Sequence, residues 1–159
     1  MRAAFAYHDA RQNHIAGQCS FAHGALPVGM ILQLLYTSLS RYERGHESDL
    51  LILQSAMQSN RELGITGYLL RDTHSFCQVI EGLPEVVEPL FASIARDHRH
   101  FGVVLRHRAL QPTRNFLGWS MGYASLSPED SAYLSTAFAD QPRGMVMAFR
   151  KISRLVAKH

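Results

Sequence analysis

GITGYLLRDTHSFCQVIEG, residues 64–82, holds two apolar, β-prone runs on either side of a polar Asp72-Thr73-His74 link. Runs of this kind, bounded by turn residues, predict an antiparallel strand pair. In the second run the two-residue period of a strand sets Phe76, Gln78 and Ile80 on one face and Cys77 on the other. Gln78 is the odd member, an amide on a face that is otherwise apolar.

Working outward, ILQLLYTS (31–38) is a short apolar run that reads as a buried strand with Leu32, Leu34 and Tyr36 on one face. Between it and the hairpin, Ser48 is expected to cap a helix running to about Leu63. Asp49 in the first turn suits the helix dipole, and Leu50, Leu53, Met57 and Asn60 form the expected inward stripe. Downstream, Pro84 opens a second helix with Val86, Val87, Leu90, Phe91 and Ile94 inward. Pro89 lies inside it and predicts a kink or a late start. FGVVLRHRAL (101–110) and NFLGWSMGY (115–123) read as strands around a Pro112 turn, the second aligning Leu117, Trp119, Met121 and Tyr123. The order β-α-β-β-α-β-β predicts an α+β, ferredoxin-like βαββαββ fold: a five-stranded mixed sheet with two helices on one face. Right-handed crossovers then put the first and third strands side by side, with Tyr36 near Gln78. Ser127-Pro128-Glu129-Asp130 starts a helical extension, where Met145, Phe149, Ile152 and Val156 oppose Arg150, Lys151, Arg154 and Lys158. That apolar stripe needs a surface to cover.

At 159 residues the chain has room for one domain with terminal additions. The expected division is a flexible lead-in over 1–29, a core domain over 30–124 and C-terminal helices over 125–159. Met30 is an alternative start. With 47% apolar and 18% charged residues a core is feasible. A net charge of +3 is too small to demand nucleic acid or an anionic membrane. Cys19 and Cys77 lack CxxC spacing, so neither a disulfide framework nor a structural zinc site is implied. Neither a spanning run nor a signal-peptide core is evident, and a cytoplasmic location is expected.

Tyr36, Asn60 and Gln78 are polar groups on faces that otherwise look buried. An unmade buried hydrogen bond costs about 1–3 kcal/mol, so each needs a partner, either backbone or ligand. Three of them converging on one space suit a flat ring with apolar faces and a polar edge, such as an isoalloxazine. Rival constellations are weaker. His98, His100 and His107 lack carboxylates or thiols at ligand spacing, so no metal site is expected. Arg96, Arg99, Arg106 and Arg108 read as solvated positions rather than a nucleic-acid patch, and no Walker loop or GxGxxG is present.

LLYTS with Tyr36, Asn60 followed by GITG, FCQVIEG around Gln78, RDHRH (96–100) and FLGWSMGY around Trp119 and Met121 resemble the BLUF family of blue-light sensors using FAD. The likeness runs in order over about residues 31–124. It implies a non-enzymatic photoreceptor with flavin held non-covalently between the two helices, FAD foremost, with FMN or riboflavin as alternatives. Tyr36 is implied as the electron and proton donor, and Gln78 as the amide that rearranges. Trp119 and Met121 hold the positions that respond. Asn60 is implied at the ring's carbonyl edge, with Ser59 and Ile65 beside it, and Asp97, Arg99 and His100 toward the ribityl-phosphate side. Ser59 stands where many relatives carry Asn or His, and Ala56 where Ser is frequent. Output is expected through protein contacts, in a homo-oligomer or on a separate downstream protein, with no nucleic acid or membrane partner. The alternatives are a ferredoxin-like acylphosphatase-type enzyme, for which no anion-cradling loop is found, and a cofactor-free interaction module.

Overall fold

A computed structural model of the chain describes residues 29–118, 120–140 and 143–157. Nearly all of the expected lead-in, and Trp119, lie outside the described residues. The elements in order are β1 (Ile31–Ser40), α1 (Glu47–Glu62), β2 (Thr66–Arg71), β3 (Ser75–Gly82), α2 (Pro84–Ile94), β4 (His100–Gln111), β5 (Gly122–Ser125), α3 (Pro128–Ala139) and α4 (Arg143–Val156). The sheet runs β4-β1-β3-β2-β5. β3 lies antiparallel between β1 and β2, β4 is antiparallel to β1, and β5 is parallel to β2. This is the expected ferredoxin-like α+β arrangement, and Tyr36 stands directly opposite Gln78.

Strand alternation divides the sheet between two cores. On one face Leu32, Leu34, Leu69, Phe76 and Ile80 pack with Val87, and Ile52, Leu53, Leu90 and Phe91 of α1 and α2 close over them. On the other face Leu35, Tyr68, Leu70, Cys77 and Val79 meet Leu134, Phe138, Met145, Ala148 and Ile152 of α3 and α4. With both faces covered, β1 is buried at every position from Leu32 to Tyr36. Ser127 caps α3 by accepting from the Asp130 N–H, as its sequence predicts. α4 buries Met145 and Ile152, while Phe149 and Val156 pack partly buried beside them.

Several local expectations are corrected. α1 is capped by His46, whose ring nitrogen accepts from the Ser48 N–H, and so begins before Ser48. Its inward face is turned toward Ile52, Ala56 and Asn60. Leu50 and Met57 are 64% and 38% exposed, because the helix face over the sheet is the one that carries Ile52, Leu53 and Ala56. α2 starts at Pro84 without delay and runs through Pro89. Both Pro89 and Glu85, whose carbonyl loses its N–H partner, are exposed residues, so the unmade bond falls on the outer side of the helix. β5 is only four residues long. Gly118 adopts φ +87°, in the left-handed region that breaks a strand, and Leu117 is 72% exposed instead of aligned with Met121.

Three features brace the frame. Arg71, fully buried, donates to Asp49, to Ser40 and to the carbonyls of Tyr42, Asp72, Thr73 and Ser75, and its guanidinium lies 4.3 Å from the Phe76 ring centroid. At Gly122 a Cβ would meet the Tyr68 ring at 2.1 Å, and at Gly144 it would meet the Ala137 carbonyl at 1.8 Å. Both close approaches require glycine. No helix among the described residues is long and apolar enough to cross a membrane.

Candidate functional site

A cavity of about 180 Å³ opens between α1, α2 and the sheet. β1 and β3 supply Tyr36, Ser38, Phe76 and Gln78 to its floor, because these positions share the strand face that the pairing register brings together. α1 contributes Ile52, Ala56, Ser59 and Asn60, at the three- and four-residue steps of one helix face. α2 contributes Leu90, Ser93 and Ile94. Asp97, Arg99 and His100 close the end, beyond the C-terminus of α2.

The polar groups form a connected set. Tyr36 donates its hydroxyl proton to Gln78 Oε1. Gln78 Nε2 in turn points to the Met121 sulfur at 3.3 Å. Asn60 Nδ2 donates to the Ser120 carbonyl at 2.7 Å. The Tyr36 ring also packs against Phe91, centroid to centroid 5.4 Å. Burial pushes the Tyr36 phenol far up, with Cys77 and Asp97 adding to the effect. Its proton is therefore firmly held, and the group donates a hydrogen bond without ionising.

At the open end Arg99 Nε lies 2.9 Å from both oxygens of Asp97. The Arg99 hydrogen bond holds the Asp97 carboxyl below its ordinary range, and Asp97 raises Arg99 in return. Burial lowers His100, against the opposing pull of Asp97. Cys77, one residue from Gln78, belongs to the opposite core, where burial pushes its thiol up to about 12.

The expected residues Tyr36, Ser59, Asn60, Gln78, Asp97, Arg99 and His100 are thus brought to one cavity. Met121 joins through its contact with Gln78. Ile65 is not among the lining residues: it is fully buried in the core beside Val87, with its Cγ1 only 3.1 Å from a Cβ placed on Gly82. Trp119 lies outside the described residues. Sequence reasoning missed Ser38, although its two-residue spacing from Tyr36 puts it on the same strand face. It also missed Ser93, for which the apolar stripe of α2 gives no signal. The group of three or more His, Cys, Asp or Glu side chains that a metal needs does not occur among the described residues.

Two buried polar atoms in this lining, Ser38 Oγ and His100 Nδ1, have no hydrogen-bond partner among the described residues. Orphans of this kind cost about 1–3 kcal/mol each, and a ligand with its own polar edge removes that cost. With apolar walls from Ile52, Leu90 and Ile94 and amides at the inner edge, the donor set fits a flavin. Residues 31–122 match the family model BLUF, sensors of blue-light using FAD. The chain belongs to the BLUF family. The chain is also similar to the photoactivated adenylate cyclase subunit beta of Euglena longa, 29% identical over 109 residues, which cover 67% of this chain and 13% of that protein. The chain therefore spans about an eighth of the length of this curated relative. Among solved structures, dark-state BlrB, a BLUF protein, is 27% identical at a TM-score of 0.67, covering 79% of this chain and 97% of BlrB. BlrP1 of Klebsiella pneumoniae, solved with FMN and cyclic diGMP, is 31% identical at a TM-score of 0.60, covering 76% of this chain and 34% of BlrP1. As a BLUF protein the chain is a blue-light flavin sensor by family.

Proposed function

We propose that blue light acts in this chain through Tyr36, Gln78 and Met121, with flavin held between α1 and α2, and that residues 30–124 form the light-receiving domain. The observation that carries this is the Tyr36–Gln78–Met121 hydrogen-bond chain on the floor of the cavity. Bound flavin would supply blue-light absorption and a transient acceptor for one electron and one proton. Ile52, Ala56 and Leu90 exclude water from the ring faces, and Asn60 and Gln78 hold its polar edge. Ser59 borders that edge, and Asp97, Arg99 and His100 receive the polar tail. FAD is the proposed cofactor, with FMN and riboflavin as the alternatives that the released chromophore's mass separates.

Tyr36 keeps its hydroxyl proton in the dark because burial disfavours the phenolate; the proton leaves only together with an electron. Loss of that proton removes the donor facing Gln78 Oε1 and frees the amide to turn. In the turned amide Nε2 faces Tyr36 and Oε1 faces the Met121 sulfur, which has no proton to donate. The two amide orientations are therefore inequivalent at Met121, which is proposed to respond, together with Trp119 as the family resemblance implies. The response would leave through β5 into α3 and α4 and act by protein contact, in an oligomer or on a separate cytoplasmic partner, without catalysis by this domain.

Purified protein should be yellow and show a reversible red shift of its flavin band after blue light. Tyr36→Phe and Gln78→Leu should keep flavin, since the apolar contacts survive, and lose the shift. A normal shift in both variants would sink the mechanism. Hydrogen exchange in α3 and α4 compared between dark and light tests the output route, and identical protection in a photocycling protein rules it out.

A further inference from the structure

Glu81 is a fully buried carboxylate on β3 with no cation bonded to it among the described residues. It is held by neutral donors. Gln33, its partner across β1, gives Oε1 an Nε2–H at 2.6 Å. The Asn115 N–H lies 3.0 Å from both oxygens, and the Phe116 N–H is 3.0 Å from Oε2. Arg114 ties the same turn from outside, donating to the Glu81 carbonyl at 2.6 Å and to the Gly64 carbonyl at 2.6 Å. The turn so fastened is the one from which the chain enters Ser120 and Met121. Those two residues supply the acceptors for Asn60 and Gln78. At its far end the connection is pinned by pairing of Gly122 with Tyr68.

We propose that Glu81 is a positioning residue of the light response, its carboxylate holding the 114–116 turn so that the Ser120 carbonyl and Met121 sulfur stay against Asn60 and Gln78. Gln78 and Glu81 sit three residues apart on one strand and point to opposite faces. The same strand therefore presents the amide and anchors the segment that carries its partner. Both carboxylate oxygens are needed, because each accepts from more than one donor. This is why the isosteric amide fails: Glu81→Gln turns an acceptor into a donor aimed at a backbone N–H. The inference rests on the flavin reading for its functional consequence but not for the strap itself.

The test uses the full-length, flavin-loaded protein, with Glu81→Gln and the charge-keeping Glu81→Asp. Amide exchange at Asn115 and Phe116, the Met121 ε-methyl and Gln78 side-chain amide resonances in the dark, and the rate of dark recovery after blue light are measured. In Glu81→Gln, exchange at the two amides should accelerate by about tenfold or more, the effect of one lost buried hydrogen bond. The Met121 and Gln78 resonances should move, and recovery should change by at least about threefold. Glu81→Asp should lie nearer the parent in all three. A lower melting temperature with unmoved resonances and an unchanged recovery rate makes Glu81 merely structural and overturns the proposal, as does unchanged exchange at Asn115 and Phe116. If Glu81→Gln does not fold, Glu81→Asp, which keeps the carboxylate but shortens its reach, should move the same three readouts in the same direction by a smaller factor, and no movement in any of them overturns the proposal. If the parent protein shows no photocycle, the functional reading fails, and the exchange and resonance data alone decide the strap.

Discussion

Asn60 carries two relationships at once, a hydrogen bond to the Ser120 carbonyl and a place on the cavity wall. Asn60→Ala removes both amide atoms from the polar edge, so flavin affinity should fall by about 1–3 kcal/mol, or roughly tenfold to more than a hundredfold. Fluorescence of flavin released on dilution measures it. Burial sets a second expectation. His100 and His107 are both held below their ordinary value by desolvation. The unfolded chain binds protons on them below about pH 6.5 while the folded chain resists. Their neutral state therefore costs no stability above that pH, and stability falls as pH drops beneath it, down to the lowered folded values. Asp97 acts in the same direction over a lower window: its depressed value adds stability that is lost only as the pH falls through the carboxylate range. Thermal melts should therefore show a lower melting temperature at pH 5.5 than at 7.5, and His100→Asn should narrow that difference.

At the scale of elements, α4 is held by its buried stripe on the sheet and by a close crossing with α3. Ile152 is fully exposed to neither solvent nor cavity; it is sealed in the second core with Ala148 and Met145. Ile152→Ala should cost about 2–5 kcal/mol in a urea titration, as large-to-small changes in packed cores do. That α4 would cover something was legible from Met145, Phe149, Ile152 and Val156, whose spacing is helical and whose opposite side is basic. The β1 and β3 faces were equally legible, because a period of two leaves little freedom once one face is apolar. α1 was so only in part. Leu50 and Met57 read as inward yet are exposed, while Leu53 and Asn60 of the same expected stripe do lie inward. Arg71 and Glu81 were opaque for a different reason. A charge at a strand end reads as the start of a turn, and only the register shows that Gln33 faces Glu81 and that Asp49 reaches Arg71.

For the molecule as a whole, one sheet separates a cavity with orphaned polar atoms from a second, apolar core, and β5 at its edge belongs to both through Tyr123 and Ala124. The glycine at the head of that strand limits what the edge can do. Sliding β5 by one residue along β2 would bring Met121 or Tyr123 to the place of Gly122, and either would drive its Cβ into the Tyr68 ring. The strand is thus keyed to a single notch, like a bolt that can rattle but not travel. Gly122→Ala should destabilise the protein by about 1–3 kcal/mol or more, measured by chemical denaturation. A light-adapted structure should keep Tyr68 opposite Gly122, which leaves side-chain exchange around Met121, and not translation of the strand, as the motion available to this edge.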